Sequence, residues 1–339
     1  MFKRFILALV CLSFTLSGFA AKLTATLQSG DKVTPFYGDN AFVEAYNAAV
    51  NGDIITLSPG SFKATNIEKS ITVIGTYAFC DDLSEATQFS SSITISGDNV
   101  ALEGIRFTND TSGKGLIIKG ADNLTINRCY IALINNEVRT GHKYHNNTIL
   151  TDCYINVFNA MSLSQNAVLR NCSVYYFNDM NEIGYPALIE NCNVSQFARF
   201  SSYLIAAYKQ PYAIYRNCRL ELYKTNESTA IPTISFSAPS EFHNNCFYKT
   251  YQAVSSSTYA YTWQINYGSA VHTTNCITWE YSTNTTILGF TPYTKDGVSY
   301  GPINHKSYPA IPSITSSKID TKTDAEGNLH VKITATAHD

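Results

Sequence analysis

One short pattern of apolar and polar positions recurs along most of this chain. In most copies an apolar residue precedes a Cys by three positions, a turn-forming residue stands directly before the Cys, and a second apolar residue follows two places after it. Because the pattern returns so often, it predicts strands stacked on one another. Seven copies align without gaps, at residues 124–131, 148–155, 167–174, 187–194, 213–220, 241–248 and 271–278.

The spacing of the copies predicts a solenoid. Two earlier segments fit the pattern with Thr76 and Ile105 at the Cys position, and from Thr76 onward the intervals are 29, 24, 24, 19, 20, 26, 28 and 30 residues. Such a period is typical of one coil of a repeat protein, with loops of different length on its outside. We therefore expect an all-β parallel solenoid of about nine coils.

Each copy also predicts a corner between two strands. Side chains alternate between the faces of a strand, so inward positions three residues apart require a bend. The residue before the Cys is of a type that accepts the left-handed conformation of a corner. It is Asn in five copies and Asp or Gly in two others: Asn171, Asn191, Asn217, Asn245, Asn275, Asp152 and Gly104.

The cysteines of the repeat are expected to stack inside the solenoid, about 4.8 Å apart. Unpaired Cys is often buried as a small apolar residue, but a ladder of thiols could also bind metal or serve redox chemistry. The chain has no CxxC pair of the kind that binds zinc, which favours the first interpretation. The oxidising environment outside the cytoplasm would still allow an occasional disulfide if the protein is exported. The ladder comprises Cys129, Cys153, Cys172, Cys192, Cys218, Cys246 and Cys276.

The ends of a solenoid need a cover, and the sequence has a candidate at each end. Asn40 can cap a helix over residues 41–50, and Gly52 can end it. Residues 53–62 then begin the first coil. At the other end, residues 318–337 predict a hairpin around residues 324–328.

These elements divide the chain into four parts. Residues 1–20 have the charged start, apolar run and small residues of a signal peptide. Residues 21–52 hold the capping helix, 53–290 the parallel β-helix, and 291–339 a Pro-containing segment and the hairpin cap. No apolar run reaches the roughly 20 residues of a membrane helix. We expect a secreted, periplasmic or cell-surface monomer with no membrane span.

Composition narrows the choice of partner. Asp, Glu, Lys and Arg make up 15% of the chain, and the formal net charge is −2. The basic surface that nucleic-acid binding requires is missing, since no run of Lys and Arg occurs. We therefore expect no nucleic-acid partner.

Several segments together resemble the pectin-lyase-like superfamily of right-handed parallel β-helix proteins. The segments that begin at Phe42 and at Gly52 are similar to the entry segments of pectin methylesterases and chondroitinase-B-type lyases. Over residues 40–280 the resemblance implies a right-handed coil with three parallel sheets. The segments are Phe42-x-Glu44-Ala45, Gly52-Asp53-x-Ile55-x-Leu57-x-Pro59-Gly60-x-Phe62, Gly97-Asp98-Asn99-Val100-x-Leu102-x-Gly104-Ile105-x-Phe107 and the Asn-Cys corners.

The catalytic motifs of these families are not matched. The polygalacturonase-type set of Asn-Thr-Asp, Asp-Asp and Gly-His-Gly does not occur in order, and the esterase-type Gln-Asp-Thr is absent. No acidic cluster resembles the calcium site of pectate lyases. We expect no metal site and no cofactor, although calcium binding stays open.

Enzymes of this superfamily work on the first sheet of the coil, which we expect about twelve residues before each Cys position. The polar loop 137–145 lies near one such place. In a polysaccharide lyase, Arg139 or Lys143 would neutralise a uronate carboxylate, and His142, Lys143 or Tyr203 would remove the neighbouring proton. Glu182 is a further catalytic candidate. Alternatively, the loop is charged only because it is exposed.

Aromatic residues offer a second surface. Tyr130, Tyr154 and Tyr175 follow Cys corners at outward positions, where rings can bind sugars or merely stack and stabilise the sheet. Tyr130 and Tyr154, with Tyr203 and Trp263, are the candidate substrate-binding residues. The position four before the Cys is apolar in several copies, and if it faces outward a loop or partner must cover it. Its residues are Ile149, Val168, Leu188, Ile214 and Phe242.

We keep two hypotheses for the function of this protein. The first is a non-catalytic exported protein that binds a polysaccharide or a cell-surface partner along its long face, and the unmatched catalytic motifs favour it. The second is a polysaccharide lyase that acts on a uronate-containing glycan.

Overall fold

The computed structural model describes much of the chain between residues 23 and 337. The predicted signal peptide lies outside the described residues, and so does part of the predicted C-terminal segment. The described residues are 23–79, 83–89, 91–108, 115–140, 144–178, 187–200, 213–224, 233–235, 240–251, 264–266, 272–274, 277–280, 293–295, 298–300, 312–319 and 331–337.

The first large sheet has 12 strands. An antiparallel hairpin, β1 and β2, stands at one edge, and the strands from β3 onward are parallel. In spatial order they are β2 (Lys32–Tyr37), β1 (Thr24–Ser29), β3 (Ile54–Leu57), β5 (Thr72–Ile74), β8 (Ala101–Glu103), β11 (Thr125–Asn127), β14 (Ile149–Thr151), β17 (Val168–Arg170), β19 (Ala187–Glu190), β21 (Ala213–Arg216), β24 (Glu241–His243) and β27 (His272–Thr274).

The second large sheet also has 12 strands, all parallel. Two of them, β7 and β10, extend from the second half of β12. The strands are β4 (Gly60–Phe62), β6 (Thr87–Phe89), β9 (Ile105–Phe107), β12 (Tyr130–Glu137), β15 (Tyr154–Asn159), β18 (Ser173–Asn178), β20 (Asn193–Phe200), β22 (Arg219–Lys224), β25 (Cys246–Tyr251) and β28 (Ile277–Glu280), with β7 (Ile93–Ile95) and β10 (Leu116–Lys119).

Eight further strands form pairs of their own. Two pairs are parallel, β13 (His145–Asn146) with β16 (Ser164–Gln165) and β23 (Thr233–Ser235) with β26 (Gln264–Asn266). Two are antiparallel, β29 (Tyr293–Lys295) with β30 (Val298–Tyr300) and β31 (Pro312–Ile319) with β32 (Val331–Ala337). The last pair is the predicted C-terminal hairpin, whose first strand begins six residues before the predicted start at 318.

In-register pairing joins strands that are one repeat apart. Ile126 of β11 is level with Leu102 of β8 and Leu150 of β14. Along the chain the strands alternate between the two sheets, in the order β11, β12, β14, β15. The protein is therefore mostly β with long parallel sheets, as a β-helix or solenoid requires.

The core consists of inward side chains that stack from coil to coil. One row follows the first sheet and another follows the second, and all of these side chains are buried because the two sheets face each other across the interior. The first row contains Val73, Leu102, Ile126, Leu150, Leu169, Ile189, Tyr215 and Phe242, and the second contains Phe62, Phe89, Phe107, Ile131, Ile155, Val174, Val194 and Leu220.

The predicted N-terminal helix is present as α1 (Ala41–Ala48), two residues shorter than expected. Phe42 is fully buried, and its ring centroid lies 4.9 Å from that of Phe89 at the first coils. Asn40 does not cap the helix with its side chain. Its Oδ1 accepts a hydrogen bond from Lys63 Nζ at 3.1 Å. The helix ends where Ala49 becomes extended.

Most predicted corner residues have the left-handed conformation, with φ between 51° and 64°. Arg128, which precedes Cys129, adopts it too, and its guanidinium contacts the Glu103 carboxylate. The corner N–H donates across to the next coil, as from Asn171 N to Glu190 O at 3.1 Å. The left-handed corners of the repeat are therefore hydrogen-bonded to one another. They are Gly104, Arg128, Asp152, Asn171, Asn191, Asn217 and Asn244.

In the copy 241–248 the predicted alignment is wrong by one residue. The gap-free alignment made Cys246 level with Cys218 and pointed His243 inward. The structure instead pairs Tyr215 with Phe242 and Arg219 with Cys246. The reason is burial, because Phe242 inside and His243 at the surface cost less than the reverse.

This shift brings Asn245 to the inward position that Cys218 holds one coil earlier. Asn245 is fully buried. Its amide donates to Tyr215 O at 2.9 Å, and its Oδ1 accepts from Cys218 N at 2.8 Å. In earlier coils cysteine makes similar contacts, as when Cys192 Sγ accepts from Cys172 N at 3.4 Å. Asn245 thus replaces a thiol in the ladder and supplies stronger hydrogen bonds.

A second row of left-handed corners precedes the first sheet and was missed by the sequence analysis. Its four asparagines have φ of 56° or 57°. Their side chains bond in series, with each Nδ2 donating to the Oδ1 of the previous coil at 2.8 to 3.3 Å. An Asn two residues before β8, β11, β14 and β17 is the signal that could have revealed them. They are Asn99, Asn123, Asn147 and Asn166.

The described ladder cysteines from Cys129 to Cys218 are buried thiols, and none of them forms a disulfide. Each thiol donates to the carbonyl two residues before it at 3.2 or 3.3 Å. Burial raises the pKa of the Cys129 thiol to about 12 and raises the pKa values of Cys153 and Cys192 well above the ordinary value. These thiols stay protonated at neutral pH. Because metals bind the thiolate, the ladder has the character of a packed interior.

We predict that these five thiols do not react with a maleimide in the folded protein. Burial keeps all five thiols from the reagent, and the raised pKa of Cys129, Cys153 and Cys192 further lowers the amount of reactive thiolate. The measurement is alkylation at pH 7.5 followed by peptide mass spectrometry, with guanidinium-unfolded protein as the control that should label fully. Fast labelling of Cys172 in the folded protein would contradict the inward ladder.

We predict that Asn245→Ala lowers the free energy of unfolding by about 2 kcal/mol, because it leaves the Cys218 N–H and the Tyr215 carbonyl buried without their partner. The shift of the urea midpoint, followed by circular dichroism, measures the effect. Thr125→Ala, at an exposed position of β11, is the matched control and should be nearly neutral. An equal, small shift in both variants would show that the described bonds of Asn245 do not stabilise the coil.

Candidate functional site

Three neighbouring strands of the second sheet, β12, β15 and β18, present their outward side chains in register. We call this surface the tyrosine–asparagine face. Each strand contributes three positions to it, in rows that run from coil to coil. The rows are Tyr130, Tyr154 and Ser173, then Leu133, Val157 and Tyr176, then Asn135, Asn159 and Asn178.

The strands bend between the first row and the second. In β15, Asn156 and Val157 are both half-buried although they are consecutive, whereas the neighbouring Ile155 and Phe158 are buried. A flat strand would alternate strictly, so this doubling marks the bend. Tyr175, at the same place in β18, is the most exposed side chain of that strand, with 38% of its surface accessible.

The first row begins with a stack of one arginine and two tyrosines. The rings of Tyr130 and Tyr154 are 5.0 Å apart and nearly parallel, at 9°. The Arg106 guanidinium lies 3.8 Å from the centroid of the Tyr130 ring, and its Nη1 donates to Ala78 O at 3.3 Å. Cation–π attraction and ring stacking hold these side chains in place.

The third row is an amide ladder. Asn178 Nδ2 donates to Asn159 Oδ1 at 3.2 Å, and Asn159 Nδ2 donates to Asn135 Oδ1 at 3.5 Å. Asn135 Nδ2 in turn donates to Glu137 Oε1 at 3.1 Å. An Asn side chain has two N–H donors and two acceptor lone pairs. The ladder therefore leaves Asn159 a further donor and acceptor for a ligand.

The sequence analysis expected the strands on which enzymes of the superfamily work about twelve residues before each Cys. Strands occupy that place only in some coils. Ile93, Ile117, Ile234 and Gln264 lie on strands. Ala160 does not, since it is left-handed at φ 53° and starts the 3-10 turn Met161–Leu163. In that coil, which has only 19 residues from Cys153 to Cys172, β15 runs directly on from the Cys corner to Asn159, and the 3-10 turn and β16 follow it. Gly141, Met180 and Ala206 lie outside the described residues.

Most of the predicted catalytic and binding residues also lie outside the described residues: His142, Lys143, Glu182, Tyr203 and Trp263. Arg139 is described, and its Nη1 donates to Ser96 O at 3.1 Å. Its guanidinium thus links two coils. Tyr130 and Tyr154 are the predicted binding residues that the structure does bring together.

Behind the start of the loop lies a buried polar cluster of Asn136, His145, Thr148 and Ser164. Asn136 Nδ2 donates to Ala160 O at 3.2 Å and Ser164 Oγ at 3.3 Å, and Ser164 Oγ donates to Thr148 Oγ1 at 3.3 Å. Among the described residues, neither ring nitrogen of His145 has a hydrogen-bond partner.

Burial lowers the pKa of His145 to about 4, and the nearby Asp122 carboxylate opposes this shift only in part. His145 is fully buried and neutral at neutral pH. It therefore contributes to the packing of the coil, and its position under the surface does not suit contact with a polymer.

The predicted apolar row lies on the outward face of the first sheet. Ile149 is 36% exposed, and Val168, Leu188 and Ile214 are half-buried. Phe242 was assigned to this row wrongly, since the shifted register buries it and Glu241 takes its place.

A charged row accompanies the apolar one on the first sheet. Arg170 Nε lies 2.9 Å from Glu190 Oε2, and Arg216 Nη1 lies 3.9 Å from Glu190 Oε1. In the next strand, His243 Nε2 lies 3.1 Å from Glu241 Oε2. The two ion pairs of Glu190 join neighbouring coils, whereas the contact between His243 and Glu241 lies within β24.

No protein-family model and no curated protein matches this chain. In the described part of the chain, no cluster of three or more His, Cys, Asp or Glu residues could hold a metal ion. None of the described helices has the combination of length and apolar character that a membrane crossing requires. The function is therefore inferred from the surface chemistry of the described coils.

His145 generates a prediction about pH. Its folded pKa of about 4 lies below the value near 6.5 that an unfolded chain has. The unfolded state therefore binds the proton first, and stability falls as pH decreases from about 6.5 to 4. The largest loss is about 3 kcal/mol, because one pKa unit corresponds to about 1.4 kcal/mol.

Urea midpoints measured between pH 4 and pH 8 test this dependence. His145→Leu removes the titrating group and should flatten the curve over that window. Thr125→Ala, at an exposed position of β11 without a titrating group, is the control and should keep the slope. A slope that His145→Leu leaves unchanged would refute the assignment.

Proposed function

We propose that this protein is an exported, right-handed parallel β-helix of about nine coils that binds a polysaccharide or cell-surface glycan through its tyrosine–asparagine face, without catalysis. In this proposal residues 1–20 are a signal peptide, α1 covers the N-terminal end and the hairpin β31–β32 covers the C-terminal end. The burial of Phe42 against Phe89 supports the first of these covers.

The observation that carries the functional proposal is the stack of Tyr130 and Tyr154 beside the amide ladder of Asn135, Asn159 and Asn178. Aromatic side chains offer apolar area and a hydroxyl, and amides offer paired donors and acceptors. A sugar presents the same combination, with apolar C–H faces and a rim of hydroxyl groups. The face therefore has both kinds of contact that a glycan needs.

The face is also held rigid before any ligand arrives. Tyr130 is fixed between Arg106 and Tyr154, and Asn159 is fixed by two neighbouring amides. Side chains that are already ordered lose little entropy on binding. A regular array on stacked strands suits a polymer that repeats along the same axis.

Two observations favour binding without catalysis. Arg139, a candidate for neutralising a uronate, already donates to the Ser96 carbonyl. His145 is buried and neutral. A lyase that uses His142, Lys143 or Glu182 is the competing function, and the experiment below separates the two.

The experiment is binding of the chain without residues 1–20 to a glycan array, followed by affinity electrophoresis with each polysaccharide that binds. We predict that Tyr154→Ala weakens binding by about tenfold or more, since it removes one contact of roughly 1.4 kcal/mol or more. Thr125→Ala on the first sheet is the matched control and should bind like the unmodified protein.

The same preparations are incubated with uronate polysaccharides, with and without calcium, while the absorbance of the unsaturated product is followed. We expect a flat trace. A rising absorbance that Lys143→Ala abolishes would replace the binding proposal with a lyase, and absence of both binding and turnover would refute both functions.

A further inference from the structure

The tyrosine–asparagine face is uncharged over three consecutive strands. Residues 130–136 of β12, all of β15 (Tyr154–Asn159) and all of β18 (Ser173–Asn178) contain no Asp, Glu, Lys, Arg or His. Charged residues make up 15% of the whole chain, and the first sheet carries a row of them at Arg170, Glu190 and Arg216. The two faces of the coil thus differ in charge.

Two described charges at the border of this face, Arg106 and Glu137, already have partners. Arg106 stacks on Tyr130 and donates to Ala78 O, so its guanidinium is directed away from the rows of β15 and β18. Glu137 accepts from Asn135 and is level with Lys119 of β10. Neither group is placed to neutralise a charged ligand lying across Val157.

The middle row is apolar and lies between two polar rows. Leu133, Val157 and Tyr176 are half-buried, and Asn159 is two residues from Val157, roughly 6.8 Å along an extended strand. Three strands span roughly 10 Å in the direction of stacking. A carboxylate or sulfate held against these three strands would lose water and would gain no cation from residues 130–136, 154–159 or 173–178.

We propose that the ligand of this face is a neutral linear glycan, free of uronate and sulfate, which lies along the stacking direction of the coils. The C–H faces of its rings contact Leu133, Val157 and Tyr176, and its hydroxyls bond to the amides of the Asn135–Asn159–Asn178 ladder. This inference rests on the proposed function and adds the chemical class of the ligand.

The test compares neutral polysaccharides (β-glucan, galactan, arabinan, mannan) with acidic ones (polygalacturonate, alginate, hyaluronan) by affinity electrophoresis and calorimetry. We expect retention by at least one neutral polymer and by no acidic one at 0.15 M salt. Since no ion pair forms, the dissociation constant should change less than about twofold between 0.05 and 0.5 M salt.

A pair of substitutions with opposite charge makes the test sharper. Val157→Asp and Val157→Lys should both weaken binding, by about tenfold, because either charge has to be desolvated under the sugar. Thr125→Asp and Thr125→Lys on the exposed side of β11 are the matched controls and should bind normally. Circular dichroism checks that all four variants are folded.

The outcomes separate this inference from the proposed function. Salt-sensitive retention by acidic polymers, strengthened by Val157→Lys, would overturn the neutral class and leave glycan binding in place. Binding to a neutral polymer that both Val157 variants leave unchanged would also overturn the inference, since another surface would then hold the glycan. No retention by any polymer would overturn both the inference and the proposed function.

Discussion

The structure depends on sharp corners at which the backbone stays fully hydrogen-bonded. A parallel coil has to change direction within one or two residues, and a buried N–H or C=O without a partner costs more free energy than a typical hydrogen bond contributes. Left-handed residues such as Asn171 and Asn191 solve both problems, because they turn the chain and still donate to the next coil. Once one corner has formed, the corner of the neighbouring coil has to match its position and its backbone conformation.

This matching explains why the same side chains recur both at the corners and beside them. Asn191 Nδ2 donates to Asn171 Oδ1 at 2.7 Å, so these two corner amides also bond to each other. Inside the corner there is room for a small side chain with one weak donor, which suits Cys. Asn245 is informative because it takes this place and keeps both bonds, although it is polar and fully buried. Chemical function, rather than hydrophobicity alone, determines which residues the corner accepts.

The same stacking produces the outer surfaces. Every outward position becomes a row, so one residue type repeated in three coils yields a surface of one kind. On the first sheet the rows are apolar at Ile149 and Val168 and ionic at Arg170 and Glu190. On β12, β15 and β18 they are aromatic, apolar and amide, without charge. A fold of this kind can thus present chemically different faces with little change to its interior.

The sequence by itself determined the parallel repeat, most of the inward rows and five of the described left-handed corners (Gly104, Asp152, Asn171, Asn191 and Asn217), because these follow from spacing and from the few residue types that tolerate φ near 55°. Tyr130 and Tyr154 were also identified as neighbours from their equal distance to the Cys. Only the tertiary structure decided the register at Phe242, where burial of a ring outweighs the alignment of Cys246. It also decided where the amide ladder lies. The chain bends after Asn156, and no local sequence signal predicts a bend within β15. His145 shows the same limit, because a loop residue that looks exposed in sequence becomes buried once the coils above and below it are in place.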